Sequence, residues 1–357
     1  MKVFYIRSAK CEYDYIRYDL LHGLGNNIDI QFYDIADLKT ITYDQTPSTF
    51  VYGVQSLTCA YGSGSLQTPS IIIISATGLS FKDAELVFKD IELFVKNRKP
   101  SVIFYLSDEF GDLNYWHSLS KYTKLFFCHY NHSHYDRFDN VIQMPLGYVS
   151  NVLSQRYSLD IKQKPICDRK YCWSFIGQIK SDRELMCNSF EESFSDHAMP
   201  YFIKAGKNSW DMNNQLITQP DMHDIYCDSI FIPVGRGNHS LDCFRIYEAI
   251  VSGAIPVVVG DSNEINTTFY YNNNPPPFLH FTNWVDAANS CKKLLDDSVS
   301  IQTPSNMLSI STEFTRETST YGNGAYVSLQ TIQDDLLKWW RGQITGIQHK
   351  ISDALLN

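Results

Sequence analysis

The chain of 357 residues lacks any apolar run long enough to cross a bilayer. Its longest purely aliphatic run is 71–74, and the apolar stretch 249–260 is interrupted by Ser252, Gly253 and Pro256, well short of the ~20 residues a span requires. The N-terminus is a short apolar run closed by Arg7, without the longer apolar core and small-residue cleavage site of a secretion signal, so it reads as a first strand. The nine cysteines contain no CxxC pair, and an odd, dispersed set points to reduced thiols rather than a disulfide frame. Excess positive charge is lacking too. With 30 Lys and Arg against 39 Asp and Glu the net charge is -9, which argues against nucleic-acid binding through bulk charge and requires a local basic cluster for any phosphate ligand. No complete GxGxxG follows the first strand, since the glycine pairs 23/25, 62/64 and 235/237 each lack the third glycine, and this disfavours a nicotinamide-dependent dehydrogenase. The expectation is a soluble, cytoplasmic protein with no transmembrane segment and no nucleic-acid partner.

What is present is ordinary globular material, 44% hydrophobic and 14% aromatic, enough for two cores. Strand-like and helix-like segments alternate through the first half: strands at 2–6, 28–33, 70–75, 101–106, 125–129 and 141–144, helices at 13–24 and 81–96. Residues 154–170 turn polar and charged, and alternation then resumes, with strands at 173–176, 229–234 and 255–259 and helices at 182–192, 241–251 and 283–295. The Asn/Pro tract 272–277 reads as a loop, and 329–356 has helical periodicity. Repeated strand–helix–strand units imply two Rossmann-like, doubly wound α/β domains. The expected division is a first domain 1–155, a linker 156–170, a second domain 171–335, and a C-terminal helix 336–357 that packs back on the first domain.

The most informative stretch is 231–260: strand, glycine-flanked loop, helix, tight turn, strand. Gly235 and Gly237 let backbone approach a ligand, and Ser240 reads as the N-cap. The helix start then offers unpaired N–H groups, an anion site that Arg236 and Arg245 reinforce. Glu248 shares a helix face with Arg245, where a carboxylate can accept both hydroxyls of a ribose. Taken alone, that pair reads equally as a weak surface ion pair; the whole segment is too specifically built for that. Lys180 and Arg183 follow a strand ending at Gly177, and a cation at a helix start opposes the helix dipole unless an anion is near. Asp108 and Glu109 lie beyond the carboxyl end of strand 101–106, where ligands sit in open α/β sheets; they read either as helix-start decoration behind Ser107 or as a general base, Asp108 ahead of Glu109. His129, His132 and His134 are poorly spaced for one metal and read as a solvated or cleft-lining loop.

Phe231, Pro233, Gly235, Arg245, Glu248-Ala249, Gly253 and Ile255-Pro256-Val257 resemble the signature of exostosin-type glycosyltransferases. The loop Arg236-Gly237-Asn238 is similar to that of the ribitol-xylosyltransferase-like branch with bacterial and viral relatives. In order along the chain, 19–24, Leu106 to Glu109, Pro145 to Tyr148, Phe175-Ile176-Gly177 with Arg183, and Trp284 resemble further family segments. Where relatives commonly carry an arginine, this chain has Cys128-His129-Tyr130-Asn131. The resemblance implies a GT-B fold, the two domains facing each other across a cleft, and inverting, metal-independent transfer from a nucleoside-diphosphate sugar to a glycan or other hydroxyl acceptor. It implies a UDP-sugar donor, xylose being one option, no required cofactor, and binding of the donor by Gly177, Lys180, Arg183, Arg236, Gly237, Asn238, Ser240, Arg245 and Glu248. The alternative is a noncatalytic nucleotide- or sugar-binding module on the same scaffold.

Overall fold

In the computed structural model, residues 1–7, 15–24, 28–34, 68–76, 81–130, 132–148, 163–206, 217–269, 276–300 and 329–356 are described. The expected linker's residues 156–162, the loop residues 272–275, the helix stop at 25–27 and His134's side chain lie outside them. The chain divides into two units, 1–146 with 344–357, and 147–343.

The first unit holds β1 (Lys2–Arg7), β2 (Asp29–Asp34), β3 (Ile71–Ser75), β4 (Val102–Leu106), β5 (Leu125–Cys128) and β6 (Val141–Gln143), all parallel in the order β2-β1-β3-β4-β5-β6. β3 and β4 are buried along their whole length, as continuous Ile/Val/Phe runs must be when both sheet faces are covered. One cover is α1 (Phe81–Arg98), whose Ala84, Val87, Ile91, Phe94 and Val95 turn inward at helical spacing. The expected helix 13–24 is, in its described part, a π-helical segment Ile16–Leu21 followed by a 3-10 turn His22–Leu24. Its wider turn leaves the carbonyls of Asp19 and Leu20 to accept from Gln348 Nε2 at 2.8 and 3.4 Å.

The second unit carries β7 (Tyr171–Gln178), β8 (Phe202–Gly206), β9 (Ser229–Val234), β10 (Ile255–Val259) and β11 (Leu279–Phe281), parallel in the order β11-β10-β9-β7-β8. Helices α2 (Arg183–Ser193), α3 (Gln219–Cys227), α4 (Phe244–Val251), α5 (Ser262–Phe269), α6 (Trp284–Ser300) and α7 (Leu329–Leu356) complete the order. Strand for strand the sheet repeats the order 2-1-3-4-5 found in the first unit. The two parallel-sheet α/β units, of six and five strands, are consistent with a GT-B fold. Among the described residues no helix is long and apolar enough to cross a membrane.

Two details differ from expectation. α4 starts at Phe244, three residues later than read, with Cys243 at the cap and no side-chain cap bond; the Oγ of Ser240 instead accepts from Asp242 N at 3.0 Å. Pro256 lies inside β10 opposite Ile232, so the turn belongs to Gly253 alone. That turn is a Schellman motif: Ala254 N donates to Ala249 O (2.8 Å), Gly253 N to Ile250 O (3.0 Å), and Gly253 adopts φ +72°.

Arg169 braces the same turn. It is buried and donates to the carbonyls of Tyr226, Ser229, Lys164 and Ser252, while Gln333 on α7 donates to Gly253 O at 2.7 Å. Burial lowers the Arg169 pKa to about 10, which leaves it charged at neutral pH. A Cβ at Gly253 would meet Arg169 Nη2 at 2.5 Å and Gln333 Nε2 at 2.6 Å. Gly253→Ala therefore combines backbone strain with displacement of this brace and is expected to destabilise the chain by about 2–4 kcal/mol. Urea unfolding measures it; a loss below about 0.5 kcal/mol, the size of an ordinary surface change, contradicts the account.

Candidate functional site

In a sheet of order 2-1-3-4-5 the connections leave strands 1 and 3 toward opposite faces, opening a crevice at their carboxyl ends. In the second unit those strands are β7 and β9, hydrogen-bonded neighbours. Beyond them run the loops 179–182 and 235–243, which carry Lys180, Arg236, Gly237, Asn238 and Ser240 of the sequence-derived candidates.

Two arginines dominate the place. Arg183, the first residue of α2, is 3% exposed; its Nη1 donates to Gln178 O (3.1 Å), its Nη2 to Arg236 O (2.6 Å), and its buried Nε has no partner. Arg245, in the first turn of α4, donates from Nε to Ile176 O (2.9 Å) and from Nη1 to Cys243 Sγ (3.7 Å), with its guanidinium 5.7 Å from the centre of the Phe175 ring. Burial, and secondly the charge of Arg245, lower the pKa of Arg183. At Arg245 burial also opposes the charge, but Cys243, Tyr226 and Glu248 around it hold its pKa above the ordinary arginine value. Among the described residues neither guanidinium has a carboxylate within ion-pair distance. Two like charges, one buried and one half-buried, thus act on each other while held by carbonyls and a thiol. Such an arrangement is electrostatically unfavourable unless an anion joins it.

The glycines serve these arginines. A Cβ on Gly177 would collide with the Arg245 guanidinium, and one on Gly235 would sit 2.5 Å from Arg183 Cγ. Gly235 thus makes room for a side chain, where the sequence suggested room for a ligand. The loop amides are also less free than expected: Arg236 N donates to Asp182 Oδ1 (3.1 Å), Gly237 N to Ser240 O (2.9 Å) and Asp242 N to Ser240 Oγ. The side chains, more than an exposed amide cluster, carry the positive charge.

The other candidates are placed as follows. Arg236 forms a two-pronged ion pair with Glu264 on α5. Lys180 Nζ donates to Asn238 Oδ1 at the exposed rim. Glu248, one turn beyond Arg245, is 4% exposed, and burial raises its carboxyl pKa to about 7 against the opposing pull of Arg245. Sequence reasoning missed Asp182: its carboxylate accepts from Arg236 N and from Trp284 Nε1 (3.0 Å), tying the 235–243 loop to α6. Its place just before Arg183 and the isolated Trp284 were the available signals.

In the first unit Asp108 and Glu109 follow β4, adjacent to β3 at the carboxyl edge of that sheet. Asp108 is 8% exposed, its Oδ2 has no hydrogen-bond partner, and its pKa is raised by burial, with His132 and the Leu113 amide opposing. Glu109 is half-buried. Of the two expectations, a solvated or a cleft-lining loop, the first fails for His129, which is buried at 1% exposure. Among the described residues no cluster of three or more His, Cys, Asp or Glu could hold a metal.

No family model matches this chain, and no curated protein matches it in sequence. Among solved structures it is similar to one described as "Crystal Structure of alpha1,3-Fucosyltransferase", at 12% identity and a TM-score of 0.37, over 96% of this chain and 90% of that one.

Glu248 gives the site a measurable signature. Its folded pKa of about 7 exceeds the ordinary 4.5, so between these values the folded state holds a proton that the unfolded chain has released. The contribution of this group to stability accordingly falls as pH rises from about 4.5 to about 7 and is level above. Glu248→Gln, measured against wild type by denaturant unfolding across pH 4–8, is expected to remove that slope. Parallel curves for the two proteins would contradict the burial assigned to this carboxyl.

Proposed function

We propose that the chain is an inverting glycosyltransferase that moves a sugar from a nucleoside-diphosphate sugar, a UDP-sugar in the first instance, to a hydroxyl of a glycan or other acceptor. The observation that carries this reading is the Arg183/Arg245 pair: a buried and a half-buried guanidinium that act on each other electrostatically, with no carboxylate in ion-pair range among the described residues, at a topological switch point. A diphosphate supplies the missing negative charge. In the reaction the acceptor oxygen bonds to the anomeric carbon as the bond from that carbon to the diphosphate oxygen breaks, and the electron pair leaves with the diphosphate. Fixed guanidinium groups matched to that growing charge lower the barrier directly, because they need no reorganisation as it forms. Arg236, Lys180, Gly177, Gly237, Asn238 and Ser240 belong to the donor site in this reading, and Glu248 takes the ribose hydroxyls. The acceptor proton goes to Asp108, whose raised pKa suits a general base, with Glu109 as the second candidate. Charge stabilisation rests on side chains, so no metal is required.

The test is a panel of nucleotide sugars assayed for transfer and hydrolysis, with calorimetric titration of the matching nucleotide diphosphates. Arg245→Met is expected to cut kcat/KM by about 100-fold or more. Its melting temperature should change little, because the substitution also relieves repulsion on Arg183. An unchanged kcat/KM overturns the role of the arginine. Nucleotide binding without turnover of any donor moves the protein to the module reading, and absence of both binding and turnover sinks the proposal.

A further inference from the structure

Four non-glycine residues among those described have a left-handed backbone, and three of them follow strand ends: Ser107 (φ 68°) after β4, Tyr130 (φ 55°) after β5, and Ser181 (φ 53°) after β7. Each is strained for a residue with a Cβ and persists only where the surroundings impose it. At Ser107 the imposing contact is visible. Ser107 N–H donates to His129 Nδ1 at 3.1 Å across the two neighbouring strand ends, and His129 N donates to Tyr105 O at 3.3 Å.

The protonation of His129 follows from its partners. Tyr15 has one hydroxyl proton and gives it to Pro145 O at 2.8 Å. The 3.0 Å contact between Tyr15 Oη and His129 Nε2 must then be donated by Nε2–H. Nδ1 is the acceptor and the ring is neutral, in keeping with a pKa lowered by burial to about 3. A chain of bonds thus runs from Pro145 through Tyr15 and the imidazole to the amide of Ser107. The next residue is Asp108, whose own carbonyl accepts from Gly111 N (3.1 Å) and from His132 Nε2 (2.7 Å). The Asp108 backbone is therefore held on both sides, with Oδ2 left unpartnered and buried.

We infer that His129 is a positioning residue: its Nδ1 holds the left-handed turn at Ser107 and so fixes where the carboxyl of Asp108 stands. The inference rests on the reading of Asp108 as the base. It gives the histidine of this segment a reason, because a neutral imidazole accepts an N–H at Nδ1 while donating from Nε2 on the far side of the same rigid ring. The two halves of the ring separate chemically. Asparagine places Oδ1 near Nδ1 and keeps an acceptor for Ser107; glutamine places its amide near Nε2 and keeps the partner of Tyr15 while leaving the Ser107 amide unmet.

The experiment compares wild type, His129→Asn, His129→Gln and Tyr15→Phe in the full chain. It reads kcat and KM on whichever nucleotide sugar is turned over, together with the ¹³C carboxyl titration of Asp108, assigned by its loss in Asp108→Asn. The groups acting on that titration are His132, Asp112, Tyr105, Tyr115, Tyr135 and Cys128, none of them altered. His129→Gln is expected to lower kcat by about 10- to 100-fold with the donor KM within about twofold, and to shift the Asp108 midpoint. His129→Asn should keep kcat within about threefold and keep the midpoint, although it loses thermal stability as His129→Gln does. Tyr15→Phe should lower the melting temperature and leave kcat and the midpoint in place. Equal effects of the Asn and Gln variants, in kcat or in the midpoint, overturn the inference. Should wild type turn over no donor, the transferase reading fails, and the Asp108 midpoints alone still decide whether His129 sets that carboxyl.

Discussion

The second unit is organised around two positive charges that repel each other and that nothing in the described chain neutralises at close range. Arg183 is buried and Arg245 half-buried, and they receive carbonyl oxygens, a thiol and an aromatic face in place of water. Carbonyls orient a guanidinium without cancelling its charge, whereas a carboxylate would do both. Glu248, whose charge acts on Arg245, has its pKa raised by burial and forms no ion pair with Arg245. Other features of the site follow from this constraint. Gly177 and Gly235 leave the space the two side chains occupy, and Asp182 pins the loop whose carbonyl at Arg236 receives Arg183.

The sheet order explains why these residues meet. The carboxyl ends of β7 and β9 adjoin only because β8 and β10 lie on opposite sides of that pair. The first unit has the same order, yet Asp108 follows its fourth strand, one place from the β1/β3 switch point. What distinguishes Asp108 is a left-handed turn immediately before it and a buried histidine that holds the turn. Its backbone is therefore set by contacts between strand ends.

Much of the architecture could be read from the chain. Runs such as 71–74 and 102–106 are apolar at every position because both faces of a parallel sheet are covered, and such runs leave few alternatives. Arg245 with Glu248, and Arg183 after a strand ending near Gly177, were identifiable because charged residues at strand–loop–helix junctions are conspicuous. Helix starts were read less well. Ser240 has good capping chemistry, but its hydroxyl serves the Asp242 amide within the loop, and α4 begins at Phe244. The segment at 16–24 carries helical spacing but forms a π-helical stretch and then a 3-10 turn, and its carbonyls at Asp19 and Leu20 have a partner in Gln348, more than 300 positions away in sequence.

By itself, then, the amino-acid sequence determined the alternation of elements, the parallel character of the sheets and which side chains could meet an anion. Periodicity and local charge are properties of short stretches of chain. Tertiary structure alone decided that two arginines 62 positions apart would act on each other, that Gly235 would yield to Arg183, and that His129 would be neutral and buried. These outcomes depend on desolvation and on hydrogen-bond partners from distant segments, and neither exists until the strands are side by side.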